Sequence, residues 1–187
     1  DAERLQQLFK LDWERGLRES PEFATEVGHP GYNDRWTDNS LEAIARRKRE
    51  LSAPLAVIAT IKRDKLSAAD QLNYDLFKRN YELAVEGVRF PGEYFQITQL
   101  NGVQQDIARM LEVSPHATVK DYEDLIARLN GVPTVVEQSI VLLQKGLAAG
   151  ITPPRITLRD VPQQVKNQLE PDPAKSAFLL HFQNFPR

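Results

Sequence analysis

The chain contains no cysteine among its 187 residues, which excludes disulfide frameworks, thiolate metal sites and cysteine nucleophiles. It also lacks long hydrophobic runs. The longest hydrophobic run extends from Ala53 to Ile61, whereas a membrane-spanning helix needs about 20 apolar residues. Neither sign of charge predominates, because the chain has 24 basic and 26 acidic residues and a net charge of -2. We therefore expect no membrane span and no electrostatic footprint for nucleic acid.

Catalytic motifs are missing as well. The sequence has no Gly-rich phosphate loop, Walker pattern, G-x-S-x-G elbow or internal repeat. Its three histidines, His29, His116 and His181, lie far apart, and none has the short spacing to another that helical or finger-type zinc sites require. We predict no catalytic residue, no metal ligand and no cofactor in this chain.

Helical periodicity is what the sequence does have, most clearly in the stretch from Thr118 to Arg155. Thr118 and Asp121 form a weakened capping box, Gly150 is placed to end the helix, and Pro133 predicts a kink or a restart within it. Apolar residues three or four positions apart predict one buried stripe, formed by Tyr122, Leu125, Ile126, Leu129, Val132, Val136, Ile140, Leu143 and Leu147.

Similar patterns predict shorter helices elsewhere, at residues 2–17, 21–27, 41–58 with a kink at Pro54, 68–88, 103–111 and 159–169. Tyr32 and Trp36 lie in a polar loop, which we expect them to pin to the core. Residues 90–102 mix aromatic, β-branched and amide side chains between two glycine-containing turns. The fold class is therefore mostly α: an irregular array of about six to eight helices, with one extended or irregular segment near 90–102. The composition predicts a single helical domain over residues 1–187.

Three stretches resemble a known family in their order and spacing. They are LSAADQLNYDLFKR (66–79), YFQITQLNGVQQDIARML (94–111), and DYEDLIARLNGVP (121–133) followed by GLAAGITPPR (146–155). They resemble the N-terminal half of the bacterial domain-of-unknown-function family 885. The resemblance implies a mostly helical protein, often exported or lipid-anchored, that looks like a zinc metallopeptidase with an H-E-x-x-H helix in its C-terminal half.

The chain stops before that helix, so the resemblance implies its non-catalytic N-terminal half, with zinc bound only in a C-terminal half that is not present. The implied location is the periplasm or cell envelope, and a cytoplasmic location stays open. The leading hypothesis is a scaffold and substrate-channel half of a bacterial zinc metallopeptidase-like protein, with a peptide as substrate in the full protein. The alternative is a free-standing helical interaction module without enzymatic activity.

By analogy with helical metallopeptidases built around a channel, the segment from Gln96 to Gln104 is expected to line the cleft. Side-chain amides and a glycine suit hydrogen bonding to an extended peptide. The alternative is a connector whose amides satisfy nearby helix ends. The candidate substrate-channel residues are Gln96, Gln99, Asn101, Gly102 and Gln104.

Residues 176–187 form an apolar segment at the end of the chain, with Phe178, Leu179, Leu180, Phe182 and Phe185 close together. An apolar terminus needs something to pack on. We expect a partner there, either the missing C-terminal half or a neighbouring copy. The competing possibility is that the segment folds back onto this domain.

Overall fold

The computed structural model describes the backbone of residues 1–185 and the side chains of all of these except residues 173, 180 and 184. In this part of the chain there are helices and short 3-10 turns but no β-strand, so the mostly α prediction is confirmed. Seven of the helices have at least seven residues, within the predicted range. The helices are α1 (Ala2–Glu19), α2 (Pro21–Glu26), α3 (Leu41–Glu50), α4 (Ser52–Ile58), α5 (Ala68–Gly87), α6 (Val103–Val113), α7 (Val119–Ala148), α8 (Arg155–Leu158) and α9 (Val161–Asn167).

The chain divides into two compact units and passes between them three times. Unit 1 contains Asp1–Glu19 and Ser40–Pro91, and unit 2 contains Ser20–Asn39 and the described residues from Gly92 onward. Each unit is therefore built from two separate stretches of sequence. That residues 1–187 act as a single domain stays a prediction.

Unit 1 packs α1 against α4 and α5. Its core consists of the buried residues Leu5, Leu8, Ile58, Ile61, Leu66 and Tyr74, with Phe9 and Phe77 against them. A polar cluster also joins α1 to α5, in which Arg15 donates hydrogen bonds to Asp12 and to the Tyr81 hydroxyl. Burial and the bond to Asp12 raise the pKa of Tyr81 to about 12, so this hydroxyl keeps its proton at neutral pH.

Pro54 interrupts the helix predicted over residues 41–58, but the break lies one turn earlier than the proline. Proline cannot donate to the carbonyl group four residues before it, and its ring crowds that carbonyl. That residue is Glu50, where α3 ends, and α4 begins at Ser52 with Pro54 in its first turn. The single kinked helix of the prediction is therefore two consecutive helices.

Unit 2 is organised around α7. Its core consists of Ile107, Leu111, Tyr122 and Leu125, with Trp36, Phe178 and Phe182 among the residues packed against them. The predicted capping box is present, because the Thr118 hydroxyl accepts from the Asp121 N–H and the Asp121 carboxylate accepts from the Thr118 N–H. Gly150 follows the helix with a positive φ of 70°.

The helix α7 continues through Pro133 without a restart, and its buried face agrees only in part with the predicted stripe. Tyr122 and Leu125 are buried as predicted, whereas Ile126, Ile140 and Leu147 are 49%, 46% and 72% exposed. In the second half the buried residues are Ser139, Leu142 and Gly146. A Cβ at position 146 would lie 2.9 Å from the Cβ of Tyr94, so the small residues mark the side of closest packing.

The segment after α9 folds back onto unit 2. The Tyr122 hydroxyl donates to the His181 carbonyl oxygen over 3.2 Å, and the Tyr122 ring lies 5.6 Å from the Phe182 ring. The side chain of Leu180 and residues 186–187 lie outside the described residues. A partner bound through residues 176–187 stays a prediction. Among the described residues, no helix combines the length and the hydropathy needed to cross a bilayer.

Candidate functional site

A polar cavity of about 300 Å³ opens in unit 2 between α2, the loop that follows it, α6 and α7. We call that loop, residues 27–39, the Trp36 loop, and we call residues 95–102, which precede α6, the Gln96 loop. Both loops contribute to the wall of the cavity. The lining residues used below are Glu22, Trp36, Gln96, Gly102, Asp106 and Ser139.

Hydrogen bonds fasten the Trp36 loop to the helices on either side of it. The Glu22 carboxylate of α2 accepts from both the N–H and the hydroxyl group of Thr37, over 3.0 and 2.5 Å. The Trp36 indole N–H donates to the carbonyl oxygen of Arg128 in α7 over 2.8 Å. This wall of the cavity is therefore held in place by side chains, although it has no regular secondary structure.

Arg128 is a fully buried cation beneath the Trp36 loop. Its guanidinium donates to the Ser114 hydroxyl over 2.8 Å, to the Thr25 hydroxyl over 2.7 Å and to the Arg35 carbonyl oxygen over 3.1 Å. It also lies over the Trp36 ring, 5.4 Å from the ring centre. Arg128 thus joins α2, the Trp36 loop and the end of α6 to α7.

Neutral groups, rather than a carboxylate, stabilise this charge. Among the described residues, no Asp or Glu forms an ion pair with Arg128 within 4.0 Å. Burial lowers the pKa of Arg128, and the more distant carboxylates of Glu22, Asp34 and Asp124 oppose that shift. The guanidinium stays protonated because arginine side chains do not lose their proton in proteins, so its positive charge is a permanent feature of unit 2.

Gly131 makes the close packing of Trp36 on α7 possible. A Cβ at position 131 would lie 2.9 Å from Cδ1 of the Trp36 ring, a separation that real Cβ atoms do not tolerate. Trp36 therefore lies directly against the helix backbone. The prediction that Trp36 fixes its loop to the core agrees with this geometry.

Two of the five predicted channel residues, Gln96 and Gly102, lie in the cavity wall. The other three hold the Gln96 loop together. The carbonyl oxygen of Gln99 accepts from the side-chain amides of Gln105 and Gln164 over 3.0 and 2.9 Å. Asn101 and Gln104 act in the same way, because the Gln104 amide donates to the Asn101 carbonyl oxygen over 3.2 Å. These contacts hold the loop together, and both substrate binding by the five residues and the connector alternative stay predictions.

Gly102 adopts a backbone conformation that favours glycine, with φ of +122°. Its N–H donates to Asp106 over 2.8 Å. A Cβ at this position would lie 2.6 Å from Oε1 of Gln104 and 2.9 Å from the carbonyl oxygen of Gln96. Gln104 is only 6% exposed, and within the described residues its Oε1 has no hydrogen-bond partner. A side chain at position 102 would therefore collide with both oxygen atoms.

The family model for bacterial proteins of unknown function, DUF885, matches residues 21–187. The chain belongs to the DUF885 family. No curated protein matches the chain. The matched region of this DUF885 chain contains the lining residues of the cavity from Glu22 to Ser139.

The donor set of this DUF885 chain does not fit a catalytic zinc ion. In the part of the chain that the structure describes, no three His, Cys, Asp or Glu side chains come close enough together to hold a metal. His116 and His181 do meet, with ring centres 4.2 Å apart, while His29 lies beside Tyr32. We therefore derive no chemical step through a metal here, and the absence of bound zinc stays a prediction.

Sequence reasoning missed Arg128, although its position carried a signal. It lies three residues after Leu125 and four before Val132, spacings that place it beside the apolar stripe of α7. A charged residue inside an apolar stripe points to a buried charge with fixed acceptors. The contact between His116 and His181 had no comparable signal, because it depends on the chain folding back after α9.

Proposed function

We propose that this DUF885 chain is the substrate-holding, non-catalytic part of a bacterial zinc peptidase-like protein. The resemblance of its three sequence stretches to the N-terminal half of that family motivates the proposal. The zinc ligands and the general base would then belong to residues outside this chain. The same resemblance motivates a location in the periplasm or cell envelope, with the protein exported or lipid-anchored.

The cavity in unit 2 is the observation that carries the proposal. Its volume of about 300 Å³ lies at the lower end of the range usual for ligand sites. Its wall contains Gln96 and Gly102 from the segment expected to line a substrate channel. Polar groups beside an aromatic ring suit a peptide, which brings both amide groups and apolar side chains.

Trp36 offers a direct test, because its ring lies in the cavity wall. The chain has two tryptophans, so the Trp13→Phe variant leaves Trp36 as the single indole fluorophore. Titration with N-acetyl-pentaalanine amide should change its emission in a saturable way. The matched control is Trp36→Phe, in which Trp13 in unit 1 should report no change. A flat titration of the Trp13→Phe variant up to millimolar peptide would overturn the proposal.

A free-standing interaction module is the second candidate, and the surface of α5 favours it. Leu72, Leu76 and Leu83 are 59%, 54% and 47% exposed, and their spacing places them on one helical face. This candidate predicts self-association that a Leu76→Lys variant abolishes. Sedimentation analysis separates the two candidates, because the substrate-holding proposal requires no such dependence on Leu76.

A further inference from the structure

Carboxylates predominate among the charged side chains of the cavity wall. Glu22 and Glu26, four residues apart on one face of α2, line the cavity together with Asp106 and Arg109 of α6. Asp106 forms an ion pair with Arg109 over 3.1 Å, and Glu22 is the carboxylate that acts most strongly on the buried charge of Arg128. Within the described residues, Glu26 has neither an ion pair nor a hydrogen bond from its side chain. One negative charge at the cavity is therefore not compensated by the chain.

A buried hydroxyl group without a partner opens into the same cavity. Ser139 is only 2% exposed, lines the cavity together with Val135 one turn earlier on α7, and forms no side-chain hydrogen bond within the described residues. In that part of the chain, the one partnerless polar side-chain atom that is sealed from solvent is Oε1 of Gln104. The Ser139 hydroxyl therefore keeps a small accessible surface, which faces the cavity. Because a buried hydroxyl without a partner is unfavourable, a ligand that bonds to it is stabilised.

The other polar groups of the wall offer acceptors more readily than donors. The side-chain amide of Gln96 donates to the Glu93 carbonyl oxygen over 2.6 Å, and the Trp36 N–H donates to that of Arg128 over 2.8 Å. Oε1 of Gln96, by contrast, accepts no hydrogen bond within the described residues. Carboxylate, amide and hydroxyl oxygens all accept from N–H donors. A positively charged ligand with several N–H groups therefore matches this wall in both charge and hydrogen bonding.

The arrangement of the carboxylates favours an organic cation over a metal ion. In the described part of the chain, no three His, Cys, Asp or Glu side chains come close enough together to hold a metal. An ammonium group needs fewer charged partners, since its three N–H donors can bond to one carboxylate and to neutral oxygens. The wall also contains the apolar side chains of Val103, Ile107 and Met110, which suit a short carbon chain.

We propose that the cavity binds a small organic monocation, a primary ammonium group carried on a short carbon chain. The Glu26 carboxylate supplies the opposing charge, the Ser139 hydroxyl accepts an N–H hydrogen bond, and the carbon chain lies against Ile107 and Met110. This inference goes beyond the proposed function, because it concerns the charge of the ligand and holds for an amine that is not a peptide.

Titration of the full chain with pentylammonium chloride, followed by amide-resolved nuclear magnetic resonance, tests this proposal. We expect saturable shifts of the N–H signals of Glu26, Asp106 and Ser139, and weaker binding as salt is added, because salt screens exposed charges. The control ligands are 1-pentanol, which has the same carbon chain without the charge, and pentanoate, which has the opposite charge. Each should bind at least about tenfold more weakly, because charge-assisted hydrogen bonds are about twice as strong as neutral ones.

A pair of glutamate variants examines the charge on the protein's side. Glu26→Gln removes the charge and keeps the size of the side chain. The matched control is Glu137→Gln, because Glu137 is an exposed residue of α7 that does not line the cavity. We expect Glu26→Gln to bind pentylammonium at least about fivefold more weakly and Glu137→Gln to bind it normally.

Ser139→Ala separates a contact with the ligand from a structural role. The substitution removes a hydroxyl group that no group of the described chain uses, so the melting temperature should not fall. Pentylammonium binding should nevertheless weaken several-fold. A variant that loses stability while its affinity for pentylammonium is unchanged would overturn the role given to Ser139.

The outcomes distinguish this inference from the proposed function. Equal binding of pentylammonium and 1-pentanol, shifts away from the cavity, or equal effects of Glu26→Gln and Glu137→Gln would each overturn it. Displacement of pentylammonium by calcium ions, but not by sodium ions at the same ionic strength, would overturn it in favour of a metal site. Binding of the neutral N-acetyl-pentaalanine amide without binding of pentylammonium would remove this inference and leave the proposed function standing. The reverse result would remove the proposed function and support this inference.

Discussion

Single residues decide how the wall of the cavity is held, and Arg128 is the most consequential. A buried ion without a partner costs several kcal/mol, yet this one is surrounded by hydroxyl and carbonyl oxygens and by an aromatic ring. An arginine suits the position because its planar guanidinium distributes five donors in fixed directions. The side chain therefore holds together parts of unit 2 that are distant in sequence.

Replacing Arg128 with alanine should lower the free energy of unfolding by at least about 3 kcal/mol. The substitution leaves the acceptors at Thr25, Ser114 and Arg35 without their donor, at about 1–3 kcal/mol for each buried group. Denaturant melts measure the loss. The matched control is Arg109→Ala, whose side chain is 64% exposed and should cost about 0.5 kcal/mol or less. Similar losses in both variants would contradict the role given to Arg128.

Two glycines within helices should respond to alanine with opposite signs. Gly16 in α1 has no atom within 4 Å of the position a Cβ would take, so Gly16→Ala should stabilise the chain by about 0.5–1 kcal/mol through helix propensity. At Gly131 the same gain is outweighed by the clash with Trp36, and we expect a net loss of up to about 2 kcal/mol. Thermal melts of both variants test this. A stabilising effect of Gly131→Ala would show that the Trp36 ring moves aside at little energetic cost.

At the scale of elements, α7 shows which steps from sequence to structure are local. Its capping box and its glycine terminus follow from the chemistry of adjacent residues, and both were predictable. Its buried face in the second half was not. There, Gly146 allows Tyr94 and Ile151 to approach the helix more closely than a large apolar residue would. Hydrophobic periodicity counts large residues, so it selected Ile140 and Leu147 instead.

The break before Pro54 illustrates the same division between local and distant causes. The proline predicted an interruption, and its steric effect on the carbonyl of Glu50 fixes where the interruption falls.

For the cavity, Gln96 and Gly102 were found through the family resemblance. Glu22 and Asp106 could not be, because only the packing of α2 and α6 on α7 brings them into one wall.

The corrected face of α7 leads to a stability prediction. Leu142 is fully buried, whereas Leu147 is 72% exposed. Leu142→Ala should cost about 2–5 kcal/mol, and Leu147→Ala about 0.5 kcal/mol or less. Denaturant midpoints of the two variants provide the comparison. A greater loss of stability in Leu147→Ala than in Leu142→Ala would support the buried face that periodicity alone predicts.

The capping box of α7 should make stability depend on acid. Burial opposes ionisation of Asp121, but hydrogen bonds from Thr118 and the N–H of Ala117 outweigh it and lower the pKa of this carboxylate. A lowered folded-state pKa stabilises the chain above the unfolded value of about 3.9, and that contribution is lost as the pH falls through the folded pKa. Asp121→Asn should therefore be less stable at pH 7 and lose less stability below about pH 4. Measurements of the stability of both chains as the pH is lowered test this, and an equal loss in both below about pH 4 would contradict it.

For the whole molecule, the division into interleaved units is the dominant feature. Unit 2 needs Ser20–Asn39 in addition to the chain from Gly92 onward, and Arg128 bonds to residues in that earlier stretch. A fragment of residues 92–187 would therefore contain a buried cation without most of its acceptors. Interleaving makes each unit dependent on chain that lies elsewhere in the sequence.

We expect the isolated 92–187 fragment to be poorly folded and to gain helix when a peptide of residues 20–39 is added. The peptide restores the Thr25 and Arg35 acceptors of Arg128 and inserts Trp36 beside Gly131. Circular dichroism follows the helix, and Trp36 fluorescence follows binding, because residues 92–187 contain no tryptophan. A peptide carrying Trp36→Ala should restore less helix. A fragment that is fully helical alone would show that unit 2 does not depend on residues 20–39.

The order in which the ribosome releases the chain gives this interleaving a further consequence. All of unit 1 has been synthesised once Pro91 has emerged, so it can fold while most of unit 2 is still being translated. Once unit 1 has folded, residues 20–39 form a loop that is held at both ends before α7, the helix that carries Arg128, has been synthesised. Tethering reduces the conformational entropy that the loop must lose later. Early folding of the first unit thus prepares the nascent chain to complete the second.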